Sequence, residues 1–220
     1  MLRTEYYFYL MTKGFREVLF ISFFIVNCNH SVTFTPADSL QLIKTSRDST
    51  YLKNQKPFSG LVKDFDGSGN ISCSFNLKDG KLNGDYNKYY TNGAVLLSCG
   101  YTMGLLDGPW VSYYENEKIR ESMNYDKGLL QGKRESFWNN GLIKEENNFM
   151  NGVLTGTSNF YFSSGQLRKT IAFDSNGKRN GKWLDYYPNG NIRKSINYVS
   201  GKVIDSMTNY DINGDKVPIK

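Results

Sequence analysis

Asp64–Ile71 has the pattern in this chain that most resembles a metal site, because oxygen-bearing side chains fall on alternate positions. Asp64, Asp66 and Ser68 match the first, third and fifth ligands of a twelve-residue calcium loop. Such a loop also needs a bidentate glutamate at its twelfth position, where this chain has Phe75. We therefore expect no calcium site in this stretch.

Side chains suited to acid–base or nucleophilic catalysis are sparse. The single histidine, His30, lies in a polar stretch before the repeated part of the chain, which excludes histidine triads and two-histidine metal sites from that part. Glu121, Glu145 and Glu146 lie among lysines at alternating positions, where solvated cross-strand pairing accounts for them. No glycine-rich phosphate loop precedes a helix. We expect no enzymatic activity, no cofactor and no metal.

The elements that position these residues are copies of one segment. Gly181–Gly201, GKWLDYYPNGNIRKSINYVSG, is the clearest copy. The seven copies open at Gly60, Gly84, Gly108, Gly132, Gly156, Gly181 and Asp205, so the spacings are 24, 24, 24, 24, 25 and 24 residues. A fixed period in this range is typical of a repeat array rather than a closed globule.

Each copy predicts a β-hairpin followed by a turn. Numbered from the opening residue, position 6 is aromatic in all seven copies (Phe65, Tyr89, Tyr113, Phe137, Tyr161, Tyr186, Tyr210) and position 7 in five (Tyr90, Tyr114, Trp138, Phe162, Tyr187). Aromatic residues favour strands. An Asn-Gly or Ser-Gly pair then tolerates the positive φ of a tight turn. After it, apolar residues alternate with polar ones, as in Ile192, Ile196 and Tyr198, which predicts a second strand with two distinct faces.

The pattern G-x-W-x-x-Y-Y-x-N-G-x-I, followed by an aromatic residue and a G-x-x-x-G closure, resembles the MORN repeat, in particular a bacterial variant labelled antitoxin-like. The resemblance covers residues 60–214, with clear copies from Gly84 to Gly201. It implies an all-β fold: an elongated, twisted, single-layer antiparallel β-meander of about seven 24-residue hairpins, without enzymatic activity. The departures from the pattern are Glu117 at a turn glycine, Arg134 and Ser158 at the position-3 aromatic, and Asp205 at the last opening glycine.

Two cysteines lie within the array. Cys73 and Cys99 fall in adjacent copies on strands separated by one intervening strand, so their Cα atoms should be about 9–10 Å apart. A disulfide requires a Cα separation below about 7 Å. We expect both to be buried thiols.

The first 28 residues predict an export signal. Val18–Val26, VLFISFFIV, is too short for the about 20 helical residues that cross a bilayer, but it fits the hydrophobic region of a signal peptide. Met11 is a possible true start, because Lys13 and Arg16 then form a basic segment just before the apolar run.

Cys28 is the predicted site of lipid attachment. Ile25–Cys28 resembles a bacterial lipoprotein box, although Asn27 stands where a small residue is usual. The alternatives are a soluble exported protein cut near Asn27 or His30, and an uncleaved anchor. We expect an exported protein of the cell envelope, lipid-anchored to a bacterial membrane.

The rest of the chain divides into two parts. Residues 29–48 are polar and predict a tether, and residues 49–220 predict the repeat array. Tyr51–Gly60 resembles the lead-in of this repeat variant and is expected to cap the array. The formal net charge of +6 is spread along the chain without a Lys/Arg run, so we expect no nucleic-acid partner.

The aromatic surface is the remaining candidate for function. Positions 6 and 7 are adjacent, so their side chains should project to opposite faces, and a single layer buries both only if something covers one face. Either each aromatic row replaces a core, or one row is a recognition strip, since Tyr and Trp are favoured at binding hot spots. The candidate partner-binding residues come from position 3, where Arg134 and Ser158 interrupt the tryptophans, and from position 7: Trp110, Tyr114, Arg134, Trp138, Phe162, Trp183 and Tyr187.

These observations favour a non-enzymatic scaffold at the cell envelope that binds another protein. One alternative is an antitoxin-like or immunity-like neutralising protein, which the resemblance suggests and against which the signal peptide argues. Another is a glycan-binding surface protein, because exposed Trp and Tyr can stack on sugar rings.

Overall fold

The computed structural model describes residues 42–44 and 50–217. The predicted signal segment, Cys28, His30 and most of the tether lie outside these residues. Every regular element within them is a β-strand, and they contain no helix of the length and apolarity that a membrane crossing requires. The predicted all-β class is confirmed.

The strands are short and nearly continuous along the chain. The first group is β1 (Leu42–Lys44), β2 (Tyr51–Lys53), β3 (Lys56–Pro57), β4 (Gly60–Phe65), β5 (Ile71–Lys78), β6 (Lys81–Tyr89), β7 (Val95–Thr102), β8 (Leu105–Tyr113), β9 (Ile119–Asp126) and β10 (Leu129–Leu130). The second group is β11 (Gly132–Phe137), β12 (Ile143–Met150), β13 (Val153–Tyr161), β14 (Leu167–Phe173), β15 (Arg179–Tyr186), β16 (Ile192–Val199), β17 (Lys202–Val203), β18 (Thr208–Tyr210) and β19 (Lys216–Val217).

Sixteen strands form one open antiparallel sheet. Its path runs from β4 to β19 in chain order, with β10 paired beside β9 and β17 beside β16 as short extensions. Strands β1–β3 form a separate three-stranded sheet. The predicted meander of hairpins is therefore confirmed, and with strands about 4.8 Å apart the path extends for about 60–65 Å.

The two faces of the long sheet differ in burial. We call face A the side that carries positions 3 and 5 of each copy and the positions 14, 16 and 18 that pair with them. Face B carries positions 2, 4, 6, 15 and 17. Every buried hydrophobic residue of the described chain lies on face A: Val62, Cys73, Phe75, Leu77, Tyr86, Leu97, Cys99, Phe149, Ile171, Ile196 and Tyr198. The aromatic rows at positions 6 and 7 are only half-buried. The core is therefore formed by positions 3, 14, 16 and 18, and not by the two rows that are richest in aromatic residues.

Opening glycines pair across the strands with large residues at position 18. The strand register pairs Gly84 with Tyr101, Gly108 with Tyr125, Gly132 with Phe149, Gly156 with Phe173 and Gly181 with Tyr198. All five glycines have a positive φ, from 68° at Gly156 to 107° at Gly181, a backbone conformation that strongly favours glycine. At Gly181 a Cβ would lie 3.2 Å from the Cβ of Ala172, and the φ of +107° also favours glycine.

Two kinds of turn alternate along the meander. The mid-repeat turn is a three-residue loop: in the second copy the Gly93 N–H donates to the Tyr90 carbonyl at 2.9 Å, and Gly93 has a φ of 84°. The turn between copies is a two-residue loop with positive φ at both residues, such as Met103-Gly104. Glu117 takes the left-handed conformation where other copies have glycine, with a φ of 63°, so the turn survives that departure.

The single 25-residue spacing has a local cause. Between β14 and β15 the two-residue loop is replaced by a three-residue loop, in which the Gly177 N–H donates to the Asp174 carbonyl at 3.1 Å and the Asp174 N–H to the Lys178 carbonyl at 2.8 Å. The extra residue is thus absorbed in a turn, and the strands on either side keep their faces.

Deleting Ser175 should therefore be tolerated. The deletion leaves Asn176-Gly177 as a two-residue loop, the pair that best fits the turn used between the other copies. We expect the free energy of unfolding to change by about 1 kcal/mol or less. Denaturant unfolding followed by circular dichroism measures it.

The matched control is deletion of Thr170 from the middle of β14. This deletion moves every following side chain of the strand to the opposite face of the sheet, so the Ile171 side chain would leave the core. Equal loss of stability for the two deletions would contradict the turn explanation.

The N-terminal end of the long sheet is covered. Tyr51 and Phe58 pack against the buried cluster of the first copies, with the Tyr51 ring centroid 5.5 Å from that of Phe75. The Tyr51 N–H donates to the Gly80 carbonyl at 2.7 Å, and the Gly80 N–H donates to the Phe58 carbonyl at 2.8 Å. The expected cap at Tyr51–Gly60 is present.

Candidate functional site

The two rows of predicted partner-binding residues share face A. A β-bulge between positions 5 and 6 of each copy turns the side chain of position 13 onto the face of position 5: Arg193 pairs with Asp185 at 3.6 Å, and Arg120 Nε lies 3.4 Å from Ser112 Oγ. Lys144, also at position 13, lies over the ring of Trp138 at 4.9 Å, which places position 7 on the same side.

Position 6 lies on face B. Tyr89 is hydrogen-bonded to Ser74 at 3.1 Å, and Tyr161 donates to Glu146; both partners are at position 15. The expectation that positions 6 and 7 project to opposite faces agrees with these contacts.

Tyrosines at position 7 tie each copy to the next. Tyr90, Tyr114 and Tyr187 each donate a hydroxyl hydrogen bond to the position-6 carbonyl of the following copy, at 2.8, 2.7 and 3.0 Å. Trp138 and Phe162 have no hydroxyl and leave this contact unmade. The position-7 tyrosines therefore contribute to the stability of the array.

Tyr114→Phe should lower the stability without changing the fold. The substitution removes the bond to the Phe137 carbonyl and little else, so we expect a loss of about 0.5–1.5 kcal/mol in the free energy of unfolding. Phe162→Tyr is the reciprocal variant and should add a similar bond to the carbonyl of Tyr186. Chemical denaturation measures both, and a stabilising Tyr114→Phe would contradict the role assigned to the hydroxyl.

A charged cluster interrupts the core row in the middle of face A. The position-3 and position-16 row is apolar from Val62 to Met123, becomes polar at Arg134, Asn147 and Ser158, and is apolar again from Ile171. Arg134 Nε donates to Glu121 Oε1 at 2.7 Å.

The same cluster reaches the next strand. Arg134 Nη1 lies 3.5 Å from Glu145 Oε1, which also accepts from Asn147 Nδ2 at 2.6 Å. The three charged side chains retain 20–25 % exposure, so they are accessible from solvent. The cross-strand pairing expected for Glu121 and Glu145 is present, with an arginine as the partner.

The same copies contain unpartnered polar atoms. Among the described residues, the side-chain N and O atoms that are inaccessible to solvent and lack a hydrogen-bond partner are Ser136 Oγ, Trp138 Nε1 and Ser158 Oγ. All three belong to positions 3, 5 and 7 of two neighbouring copies. Buried donors without partners cost stability, and native proteins contain few of them. Their concentration beside Arg134 distinguishes the centre of face A from its two ends.

On face B the corresponding charges are satisfied. Lys133 Nζ lies 2.7 Å from Glu135 and 2.8 Å from Glu146, and Tyr161 donates to Glu146 at 2.5 Å. Hydrogen bonds from Lys133 and then Tyr161 lower the pKa of Glu146. Burial, together with the bond to Glu146, raises the pKa of Tyr161 to about 12.

The Glu146 interactions should make stability depend on pH. A carboxyl group with a lowered pKa in the folded state stabilises the protein above its unfolded pKa, and that contribution disappears as the pH falls through the folded value. Glu146→Gln should therefore reduce the difference in unfolding free energy between pH 7 and pH 3 by up to about 1 kcal/mol, since the partners are partly exposed. Urea titrations at both pH values measure it, and an unchanged difference would contradict the assignment.

The C-terminal end of face A carries a cluster of cations around one indole ring. Arg179 Cζ, Lys169 Nζ and Lys194 Nζ lie 4.7, 5.3 and 5.8 Å from the ring centroid of Trp183. The repeat pattern predicted Trp183 as a binding residue, but it did not predict that Lys169, Arg179 and Lys194 surround the ring. The signal that could have found them is the dibasic pair at positions 13 and 14 in two successive copies, Arg168-Lys169 and Arg193-Lys194.

A cleft lies beside this cluster. It is an open depression of about 470 Å³, lined by Asp185, Tyr187, Arg193, Lys194, Asn209, Tyr210, Asp211 and Val217. Of the predicted site residues, Tyr187 lines the cleft, and Trp183 donates from Nε1 to the cleft residue Asp185 at 3.4 Å.

The remaining candidates have structural roles. Asp66 closes a mid-repeat turn by accepting from the N–H groups of Ser68 and Asn70, both at 2.9 Å, and the bond from Asn70 lowers its pKa. Cys73 and Cys99 are buried thiols on β5 and β7, as expected. Burial raises the pKa of Cys99 to about 12, which opposes formation of the reactive thiolate.

Comparison with known families agrees with the repeat geometry. A family model described as the MORN repeat variant matches two segments, residues 106–127 and 179–200. Each segment spans one hairpin with its three-residue loop, β8–β9 and β15–β16. A search of curated proteins found no match to the chain.

Proposed function

From the two segments that match the MORN repeat variant, and the longer array of the same hairpin around them, we propose that the protein is a non-enzymatic scaffold. It binds another protein through the centre of face A. We further propose that it acts at the cell envelope, held there through Cys28. The hydrophobic segment Val18–Val26 and the cysteine that follows support that location.

The observation that carries the proposal is the set of unpartnered groups in the central copies. Ser136 Oγ, Trp138 Nε1 and Ser158 Oγ have no partner within the described chain, and Arg134 lies beside them between two carboxylates. A protein surface offers backbone carbonyls that could accept from Trp138 Nε1 once Lys144 moves, and charged side chains that could pair with Arg134; Ser158, at 1 % exposure, lies beneath that surface. Polar groups that pair only in a complex favour the matching partner over others, because a wrong partner leaves them unpaired.

Access to the indole donor depends on one flexible side chain. Lys144 is exposed and lies over the Trp138 ring, so its displacement uncovers the ring. Trp and Arg are among the residue types most often found at interface hot spots. Here Arg134 lies on β11 and Trp138 directly follows that strand, on the same face. The N-terminal third of face A is less suitable, because Tyr51 and Phe58 pack against it.

Site-specific photo-crosslinking tests the location of the interface. A photoreactive amino acid in place of Lys144 should crosslink to one discrete protein in intact cells. The matched control replaces Asn148, which is exposed on face B of the same strand. Equal crosslinking from both positions, or none from position 144, would contradict a partner on face A.

Trp138→Ala tests the energetics. If the ring is part of the interface, the variant should weaken binding of the crosslinked partner by about 2 kcal/mol or more. It should also cost the fold less than a core truncation, which removes about 3–5 kcal/mol. The comparison variant is Phe137→Ala, whose side chain belongs to face B. Equal collapse of the melting temperature in both variants, with full binding by the molecules still folded, would show that Trp138 only supports the sheet.

A further inference from the structure

We propose that the C-terminal third of face A binds an acidic polysaccharide, with the carboxylates of the sugar chain held by Lys169, Arg193 and Lys194 beside Trp183. This site lies in other copies than the proposed protein interface. The two proposals rest on different observations and can fail separately.

The first observation is an excess of unpaired positive charge. Three cations lie within 5.8 Å of the Trp183 ring centroid, and within the described residues none of Lys169, Arg179 and Lys194 forms an ion pair. Cation–π attraction holds them at one ring despite their mutual repulsion. An anion in their midst would relieve that repulsion, and partial burial strengthens the attraction relative to bulk water.

The second observation is the mixed lining of the neighbouring cleft. The cleft is an open depression of about 470 Å³ on the surface. Arg193 is accessible, with a side chain 58 % exposed. Asp211 and Asn209 line the same space and can accept hydrogen bonds from hydroxyl groups, whereas Asp185 is already paired with Arg193 and Trp183. A ligand that suits both sets carries anionic groups and hydroxyl donors on the same chain.

The Asp211 carboxylate disfavours simpler polyanions. Polyphosphate and single-stranded DNA have phosphate charges but few or no hydroxyl donors for Asp211, which would repel them. A uronic acid polymer supplies both a carboxylate and hydroxyl groups on each ring, and the ring of Tyr187 offers an aromatic edge for a sugar.

The third observation is the repetition of the cations. Positions 13 and 14 are Ser72-Cys73 and Leu96-Leu97 in the first copies, but Arg168-Lys169 and Arg193-Lys194 in the last two full copies. The bulge turns position 13 onto the face of position 14, so each pair presents two charges to one side. Because β15 lies between β14 and β16, the pairs are about 10 Å apart. Such spacing suits a chain with repeated charges better than a single small anion.

A fourth observation supports this specialisation of the C-terminal copies. Leu82, Leu106, Leu130 and Leu154 occupy one position at the start of a strand in successive copies, and Arg179 replaces them in the next. Arg179 therefore exchanges an apolar contact for a charge that lies over both Trp183 and Tyr198.

Titration calorimetry with the full chain and a purified oligogalacturonate tests the proposal. We expect saturable binding that weakens as salt is added. The fully methyl-esterified oligomer of equal length keeps the hydroxyls and lacks the charge, and it should bind at least about tenfold more weakly. Polyphosphate and single-stranded RNA of matched charge should also bind more weakly than the acidic sugar.

Variants then locate the site. Arg193→Gln and Lys194→Gln should each weaken oligogalacturonate binding about tenfold, as expected for loss of a charge-assisted contact. The matched control is Lys182→Gln, which removes an exposed charge from face B of the neighbouring strand and should leave the affinity unchanged. Melting temperatures confirm that the variants compared are folded.

Three results would overturn the proposal. They are equal weakening by Lys182→Gln, equal affinity for the esterified oligomer, and tighter binding of polyphosphate or RNA through the same two cations. Trp138→Ala should leave oligogalacturonate affinity unchanged, so loss of the protein partner in that variant would not bear on this site.

Discussion

The structure depends on a constraint of its single long sheet: within the described residues no second layer covers it beyond the N-terminal end, where Tyr51 and Phe58 pack. Each copy must therefore bury its apolar surface against the copies beside it. Two features recur in successive copies, namely the pairing of an opening glycine with a large residue at position 18 and the hydrogen bond from the position-7 hydroxyl to the next copy's carbonyl. The period of the sequence is the period of these contacts, because a change in spacing within a strand would break both.

The opening glycine serves the fold in two ways. At Gly181 the backbone has a φ of +107°, and a Cβ would lie 3.2 Å from Ala172 on the neighbouring strand. An alanine at this position would strain the backbone and crowd the neighbouring strand at the same time.

Much of this architecture could be predicted from the sequence. Spacing gave the hairpins, Asn-Gly and Ser-Gly pairs gave the turns, and adjacency placed positions 6 and 7 on opposite faces. The buried core was harder to locate, because the most regular aromatic rows are half-buried and the core row mixes Val62, Cys99, Tyr86 and Ile171. Composition shows how many residues are aromatic. Burial depends instead on which side chains are neighbours across the strands.

The dibasic pairs are visible in the sequence, but their placement on one face could not be predicted, for a more specific reason. Simple alternation sends positions 13 and 14 to opposite faces, which would leave Arg193 and Lys194 as unrelated surface charges. The bulge in each hairpin adds one residue to the second strand and puts both side chains on one side. Register shifts of this kind follow from the geometry of the turn and its pairing, and a sequence pattern of period two does not contain them.

Face A thus changes character along an unchanging backbone. Its first third is an apolar core that Tyr51 and Phe58 cover, its centre is a partly exposed ion cluster with unpartnered donors, and its last third is cationic around Trp183. Each copy is stabilised mainly by its neighbours. A ligand would therefore stabilise most the copies whose polar or charged groups lack partners within the described chain. Binding to the centre would strengthen contacts on both sides of it, and binding at the C-terminal end would strengthen the last hairpins only. A repeat array can in this way keep two recognition sites on one face without requiring that either affect the other.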